Sequence, residues 1–217
     1  MKKTTTIILF SLLSIVSFSQ DIATARYQSF GDTVTITGIV TNGIELDSVI
    51  RYLEDNTAGI ALYHSSLLNT QRGDEITTTG VLKDYQGLME LDPIINHTIN
   101  SSNNPIIPQI ITPLQIGENI ESELIQIDNV LFINGGSLFT GNTAFDFSSN
   151  GETGKIYIKN GHSLIGTLIP MGAVTLIGIS SQHTYNFGCP PNGSGHITCS
   201  ANDGYQILPR DLSDIIP

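Results

Sequence analysis

Apolar and polar residues alternate with a period of two along most of the chain, and Gly, Asn, Asp and Ser separate the runs. That spacing predicts half-buried strands joined by turns. Val34, Ile36, Gly38 and Val40 fall on one face of a first strand, with Thr33, Thr35, Thr37 and Thr41 among the alternates. Val and Thr branch at Cβ and suit a pleated surface. Further strands are expected at residues 59–63, 75–82 and 88–92. A helical turn is expected at 65–71, with Leu67 and Leu68 as core plugs. Helical periodicity is nearly absent elsewhere. Residues 93–113 read PIINHTINSSNNPIIPQIITP. Four prolines and a polar centre exclude a long helix there and predict an extended connection with an edge strand.

The second half repeats the layout of the first. VTITGIVT corresponds to LIQIDNVLF, with a first strand expected at 123–133, and GIALYHSS corresponds to GKIYIKNG. The pair Leu67 and Leu68 corresponds to Leu164 and Leu168, and each half resumes with a Gly-led strand, GDEITTTGVLKDYQG and MGAVTLIGISSQHTYN. Such self-similarity points to two copies of one fold. Five short strands with a helical turn between the third and fourth describe a small Greek-key barrel of the OB type. The expected fold class is therefore all-β, two small OB-like barrels in tandem, with a β-sandwich as the alternative. Gly80 would give the sharp coil that a barrel corner needs. The expected organisation is a leader at 1–20, a first domain at 21–95, a linker at 96–113 and a second domain at 114–217.

The strings VTITGIVT, YLEDNTAGIALYHSS and GDEITTTGVLKDYQGLMEL resemble the OB-fold modules of secreted bacterial proteins and extracellular nucleases. GNTAFDF, LIPMGAVTLIGISSQ and YQILPRDLSDI resemble the partner module of a tandem domain-of-unknown-function family in secreted proteins of Bacteroidota. The resemblance spans roughly Ile22 to Ile215. It implies a binding or assembly module without catalysis, and some relatives are nucleic-acid-binding-like; the alternatives are a single-stranded nucleic-acid-binding accessory to extracellular nucleases and a structural, adhesive or carbohydrate-contacting surface protein.

The first twenty residues carry Lys2 and Lys3, an apolar run from Ile7 to Val16, and small residues up to Ser19 and Gln20. This is the order of a secretory signal peptide cleaved near Ser19 or Gln20. The apolar run is short for a bilayer core of about 30 Å. The expectation is an exported protein, periplasmic, cell-surface or extracellular, with no membrane-spanning segment after cleavage. Cleavage would remove 2 of the 9 basic residues and none of the 20 acidic ones, moving the formal charge from −11 to −13. So acidic a chain repels polyanions unless a local basic patch intervenes. Cys189 and Cys199 enclose a turn-rich loop, and in an oxidising compartment they are expected to form a disulfide. A zinc site there lacks a fourth ligand beside His196.

No nucleophile elbow, phosphate loop or paired-histidine zinc signature is present, so neither catalytic residues nor metal ligands nor cofactors are expected. His64, His97, His162, His183 and His196 are scattered and expected at the surface. Glu54 and Asp55 precede a turn, NTAG, read as a solvated turn rather than a calcium loop. The candidates for ligand contact are aromatic. OB barrels use the face around their second and third strands and the neighbouring loops. That selects Tyr52, Tyr63 and Tyr85 in the first half, and Tyr157 flanked by Lys155 and Lys159 in the second, where Phe145 and Phe147 sit nearby. Lys155, Tyr157 and Lys159 alternate and should share one face. Protein, glycan and single-stranded nucleic acid are all candidate ligands, the last through base stacking. Tyr205, Ile207 and Leu208 should form a last strand stopped by Pro209, with Arg210 pairing Asp211.

Overall fold

The computed structural model describes residues 19–184 and 204–217. The expected leader at 1–18 and the pair Cys189 and Cys199 lie outside the described residues. The first helix among the described residues is short, α1 (Ile22–Arg26), and the strand periodicity did not anticipate it. Asp21 caps it by accepting from the Thr24 amide at 2.6 Å. β1 (Thr33–Val40), β2 (Ile50–Glu54), β3 (Gly59–Tyr63), β4 (Glu75–Tyr85) and β5 (Leu88–Ser101) follow, with a 3-10 turn at Ser65–Asn69. They close into a barrel in the order β1-β2-β3-β5-β4, with β4 returning antiparallel to β1 and β3 parallel to β5.

The second unit comprises β6 (Gln109–Ile110), β7 (Leu124–Phe132), β8 (Thr143–Ser149), β9 (Glu152–Ile158), β10 (Val174–Gln182), β11 (Tyr205–Leu208) and β12 (Ile215–Ile216). β7, β8, β9, β11 and β10 repeat the first barrel's order, and β10 pairs with β7 to close it. β9 and β11 are parallel, as β3 and β5 are. β6 and β12 are short flanking strands. Two closed five-stranded barrels exclude the sandwich alternative.

Alternation explains each core. In β1, Val34, Ile36 and Val40 point into the first barrel, while Thr35 and Thr37 face outward and bond Thr79 and Thr77 across the ladder at 2.9 and 2.8 Å. Ile22 and Ala25 of α1 join the same core, and Leu67 enters it from the 3-10 turn. Leu68 does not; it is half exposed, because successive residues of so short a turn cannot both face inward. The same split separates buried Leu164 from exposed Leu168. Gly80 sits at a register shift between β4 and β5, where a Cβ would come within 3.0 Å of Leu91 Cβ. β5 runs on to Ser101 and pairs with β4 as far as Glu75, so residues 96–101, expected as linker, belong to the first barrel's longest strand. The second barrel is filled by side chains such as Phe139, Phe145, Phe147, Ile156 and Ile158, with Phe139 edge-on to Phe145.

Two further expectations are corrected. His162 is buried: its Nε2 donates to the Pro209 carbonyl at 2.9 Å and its Nδ1 accepts from the Leu164 amide at 3.1 Å. Both ring nitrogens are thus used to hold the connection before β10. Arg210 pairs bidentately with Asp214, not Asp211, at 2.9 and 2.7 Å. Asp211 instead caps the turn at Leu212–Asp214 and takes Arg72 of the first barrel at 2.7 Å.

The barrels pack against each other through outer faces. Ile50, Tyr52, Ala61 and Leu88 of the first form one buried cluster with Leu124, Ile179 and Leu208 of the second. This explains why β2 and β3 are buried on both faces. Beside the apolar contact lies a buried ionic one. Arg26 donates to the Gly59 carbonyl at 2.9 Å and holds Glu118 and Glu121 at 2.9 and 3.1 Å. Glu121 also accepts from the Met89 amide at 3.2 Å, and Glu54 accepts from the Leu124 amide at 3.0 Å.

Candidate functional site

Beside the packed interface the barrels diverge and leave a cleft of about 930 Å³. That is near the top of the range for small-molecule sites, about 300–1,000 Å³. The strand period decides what lines it. In β5, Met89 and Leu91 enter the barrel core, so Leu88, Glu90 and Asp92 turn outward to the cleft. In β9, Ile156 and Ile158 enter the second core, so Lys155 and Tyr157, with Lys159 just past the strand's end, face the cleft together. The shared face anticipated from the alternation of those three residues is therefore present.

The cleft gathers all six aromatic and basic candidates named from the sequence, Tyr52, Tyr63, Tyr85, Lys155, Tyr157 and Lys159. They differ in what they offer. Tyr63 and Tyr85 are about half exposed, and Tyr157 is partly so. Tyr85 sits against His183 with ring centroids 6.2 Å apart. Tyr52 is buried in the interface cluster, its hydroxyl 3.1 Å from Ser181 Oγ, and burial pushes its pKa upward. It braces the two barrels and forms the cleft's deep wall. Phe145 and Phe147 are core residues of the second barrel.

The sequence reading missed the acids. Glu45 and Asp47 from the connection between β1 and β2, and Glu90 and Asp92 from β5, line the first barrel's side. An LMELD string that alternates apolar with acidic residues was the available signal. These charges are largely answered from within. Arg72 holds Glu45 at 2.8 Å, while Lys83 holds Asp92 at 2.6 Å and approaches Glu90 at 3.7 Å. Burial pushes Glu90 up to about 7, against the pull of Lys83 and with help from Asp92 and Asp84.

The basic residues divide in the same way. Of the seven Lys and Arg among the described residues, Arg26, Arg72, Lys83 and Arg210 hold carboxylates. Arg51 is fully buried and directs donors to the Ile50 carbonyl and Thr70 Oγ1 at 2.7 and 3.1 Å. Lys155 and Lys159 remain, with no ion pair among the described residues, and both line the cleft. Burial pulls the Lys159 ammonium below its ordinary value, and the field of Asp47 opposes that pull.

Asp55 accepts from the Thr57 and Ala58 amides and from the Ile22 amide, so it closes a turn and anchors α1. Among the described residues no group of three or more His, Cys, Asp or Glu side chains could hold a metal ion. Nor is any helix among them long and apolar enough to cross a membrane.

Fold and cleft together define a tandem-barrel protein with a preformed, mixed-polarity recess between its units. Comparison with known proteins adds no identity: no family model matches the chain, and no curated protein matches it significantly.

Proposed function

We propose that this is an exported, non-catalytic binding module whose ligand occupies the cleft between the barrels. The observation that carries the reading is convergence. Two half-exposed tyrosines, a third on β9 and the two unpaired lysines meet in one recess, contributed by both barrels. A recess with a few placed polar groups and aromatic walls is the ordinary form of a ligand site. Export is supported by the charged, apolar and small-residue order of residues 1–20, and the same compartment would favour a Cys189–Cys199 disulfide. The likeness to tandem OB-fold proteins of secreted bacterial type is part of the same proposal, supported by the repeated strand order of the two barrels.

A cleft-filling substitution tests the reading. Ala144 is exposed and lines the recess. Ala144→Trp should abolish binding to any ligand found by screening glycans, peptides and oligonucleotides, without lowering the melting temperature. Undiminished binding by that variant overturns the site. Hydrolysis of a polymer that disappears on a single substitution overturns the non-catalytic role.

A further inference from the structure

We infer that the ligand of the cleft is an acidic oligosaccharide, with Lys155 and Lys159 receiving carboxylates on separate sugar units and Tyr157 stacking on a ring between them. This rests on the cleft being the binding site, and it goes further by fixing the chemistry of what binds there.

The first barrel's wall is answered in part from within: Arg72 holds Glu45, and Lys83 holds Asp92 and approaches Glu90. The second barrel's wall is open, because Lys155 and Lys159 have no carboxylate partner among the described residues. Among the described residues of a chain of formal charge −11, the two cations without an ion-pair or carbonyl partner stand on β9 and just past its end, in one recess. The Lys159 ammonium is partly withdrawn from water with only the field of Asp47 to offset that, a cost that a bound anion reduces. Four residues of strand at about 3.3 Å each separate the two lysines by about 13 Å. That spacing suits two anions carried on different units of a chain.

The remaining lining discriminates among anionic chains. Tyr157 lies midway between the lysines, and Tyr63 and Tyr85 on the facing barrel offer further ring faces. Tyrosine faces accept the apolar faces of sugar rings as well as they accept bases. Asn142, Asn160 and Gln206 add neutral amides that both donate and accept. Hydroxyl-rich ligands satisfy such groups at every unit. Asp47, Glu90 and Asp92 accept hydrogen bonds from sugar hydroxyls, donors that a phosphodiester backbone does not supply. Two positive charges are also few for phosphate-driven affinity. A uronate-containing oligosaccharide meets all of these conditions.

Isothermal titration of the purified protein with tetragalacturonate, neutral cellotetraose and an oligothymidylate tests this. Each is titrated into native protein and into Lys155→Gln/Lys159→Gln, Lys155→Arg/Lys159→Arg and Tyr157→Ala variants. The expected result is tetragalacturonate at least about tenfold tighter than cellotetraose, a preference lost in the double Gln variant and kept in the double Arg variant. Tyr157→Ala should weaken both sugars. Cellotetraose binding as tightly as tetragalacturonate, and sensitive to Tyr157→Ala, overturns the acidic assignment and leaves the cleft as the site. Oligothymidylate binding in preference to either sugar overturns the carbohydrate assignment in favour of nucleic acid. Sugar binding indifferent to every cleft variant overturns the site itself. Absence of binding by all three probes overturns the inference, and the Ala144→Trp screen then decides the site separately.

Discussion

Replacing Arg26 by methionine should weaken the protein in a way that depends on pH. The guanidinium donates to the Gly59 carbonyl and holds Glu118 and Glu121 at the junction of the barrels. Methionine keeps much of the stem volume and removes every donor. Glu118 is partly exposed and can turn to water, but Glu121 is buried and keeps only the Met89 amide at 3.2 Å. Removing one partner of a buried pair costs about 3–5 kcal/mol because the other charge is left uncompensated. Burial already pushes Glu121 above its ordinary 4.5, with Arg26 as the chief opposing influence. Without Arg26 its folded-state pKa rises further. A folded pKa above the unfolded one contributes stability at low pH that is lost as pH rises through the folded value. The variant's deficit should therefore be full at pH 8 and about 1–2 kcal/mol smaller at pH 5, at about 1.36 kcal/mol per unit of pKa difference. Urea unfolding at both pH values, followed by circular dichroism, measures it. Adding Glu121→Gln, which retains an acceptor for Met89, should restore more than half of the loss at pH 8. A deficit under about 1 kcal/mol at pH 8, or one equal at the two pH values, would refute this account of the junction.

Three other outcomes follow from the same geometry. Native protein should unfold at lower urea at pH 8 than at pH 5, since burial holds Glu54 and Glu90 at about 7 against an ordinary 4.5. The stability they contribute is present below about 4.5 and lost as pH rises through 7. Allowing for partial solvent access, the drop is on the order of 1–2 kcal/mol, and an unchanged midpoint would contradict it. The lowered carboxylates Asp21 and Asp211 act only at more acid pH and do not oppose this trend. Gly59→Ala places a Cβ 2.5 Å from the Ser122 backbone of the second barrel, so a loss of more than about 2 kcal/mol is expected by denaturant titration. Leu67→Ala should cost about 2–5 kcal/mol by the same assay, while Leu68→Ala, half exposed, should cost under about 1.

How much of this was legible beforehand is clearest in particular strands. In β1 the alternation of Val and Ile with Thr fixes which face is inside, because a strand with one wet face must segregate its side chains. The same rule placed Lys155, Tyr157 and Lys159 together. In β2 and β3 the rule gave no warning of a second partner. GIALY is apolar on both faces and IRYLE sets Ile50 and Tyr52 opposite Leu53, yet so short a run does not say what covers its second face.

Local pattern therefore determined the elements, their facing and the repetition of one barrel twice, since each depends on neighbours a few residues away. Only the tertiary structure decided that Tyr52 is buried, that Arg26 meets Glu121 across 95 residues, and that the seven Lys and Arg among the described residues sort into five engaged and two without an ion pair. Those outcomes depend on which outer face of one barrel meets which face of the other. That choice is made by the summed burial and charge of residues distant in sequence, and no periodicity along the chain records it.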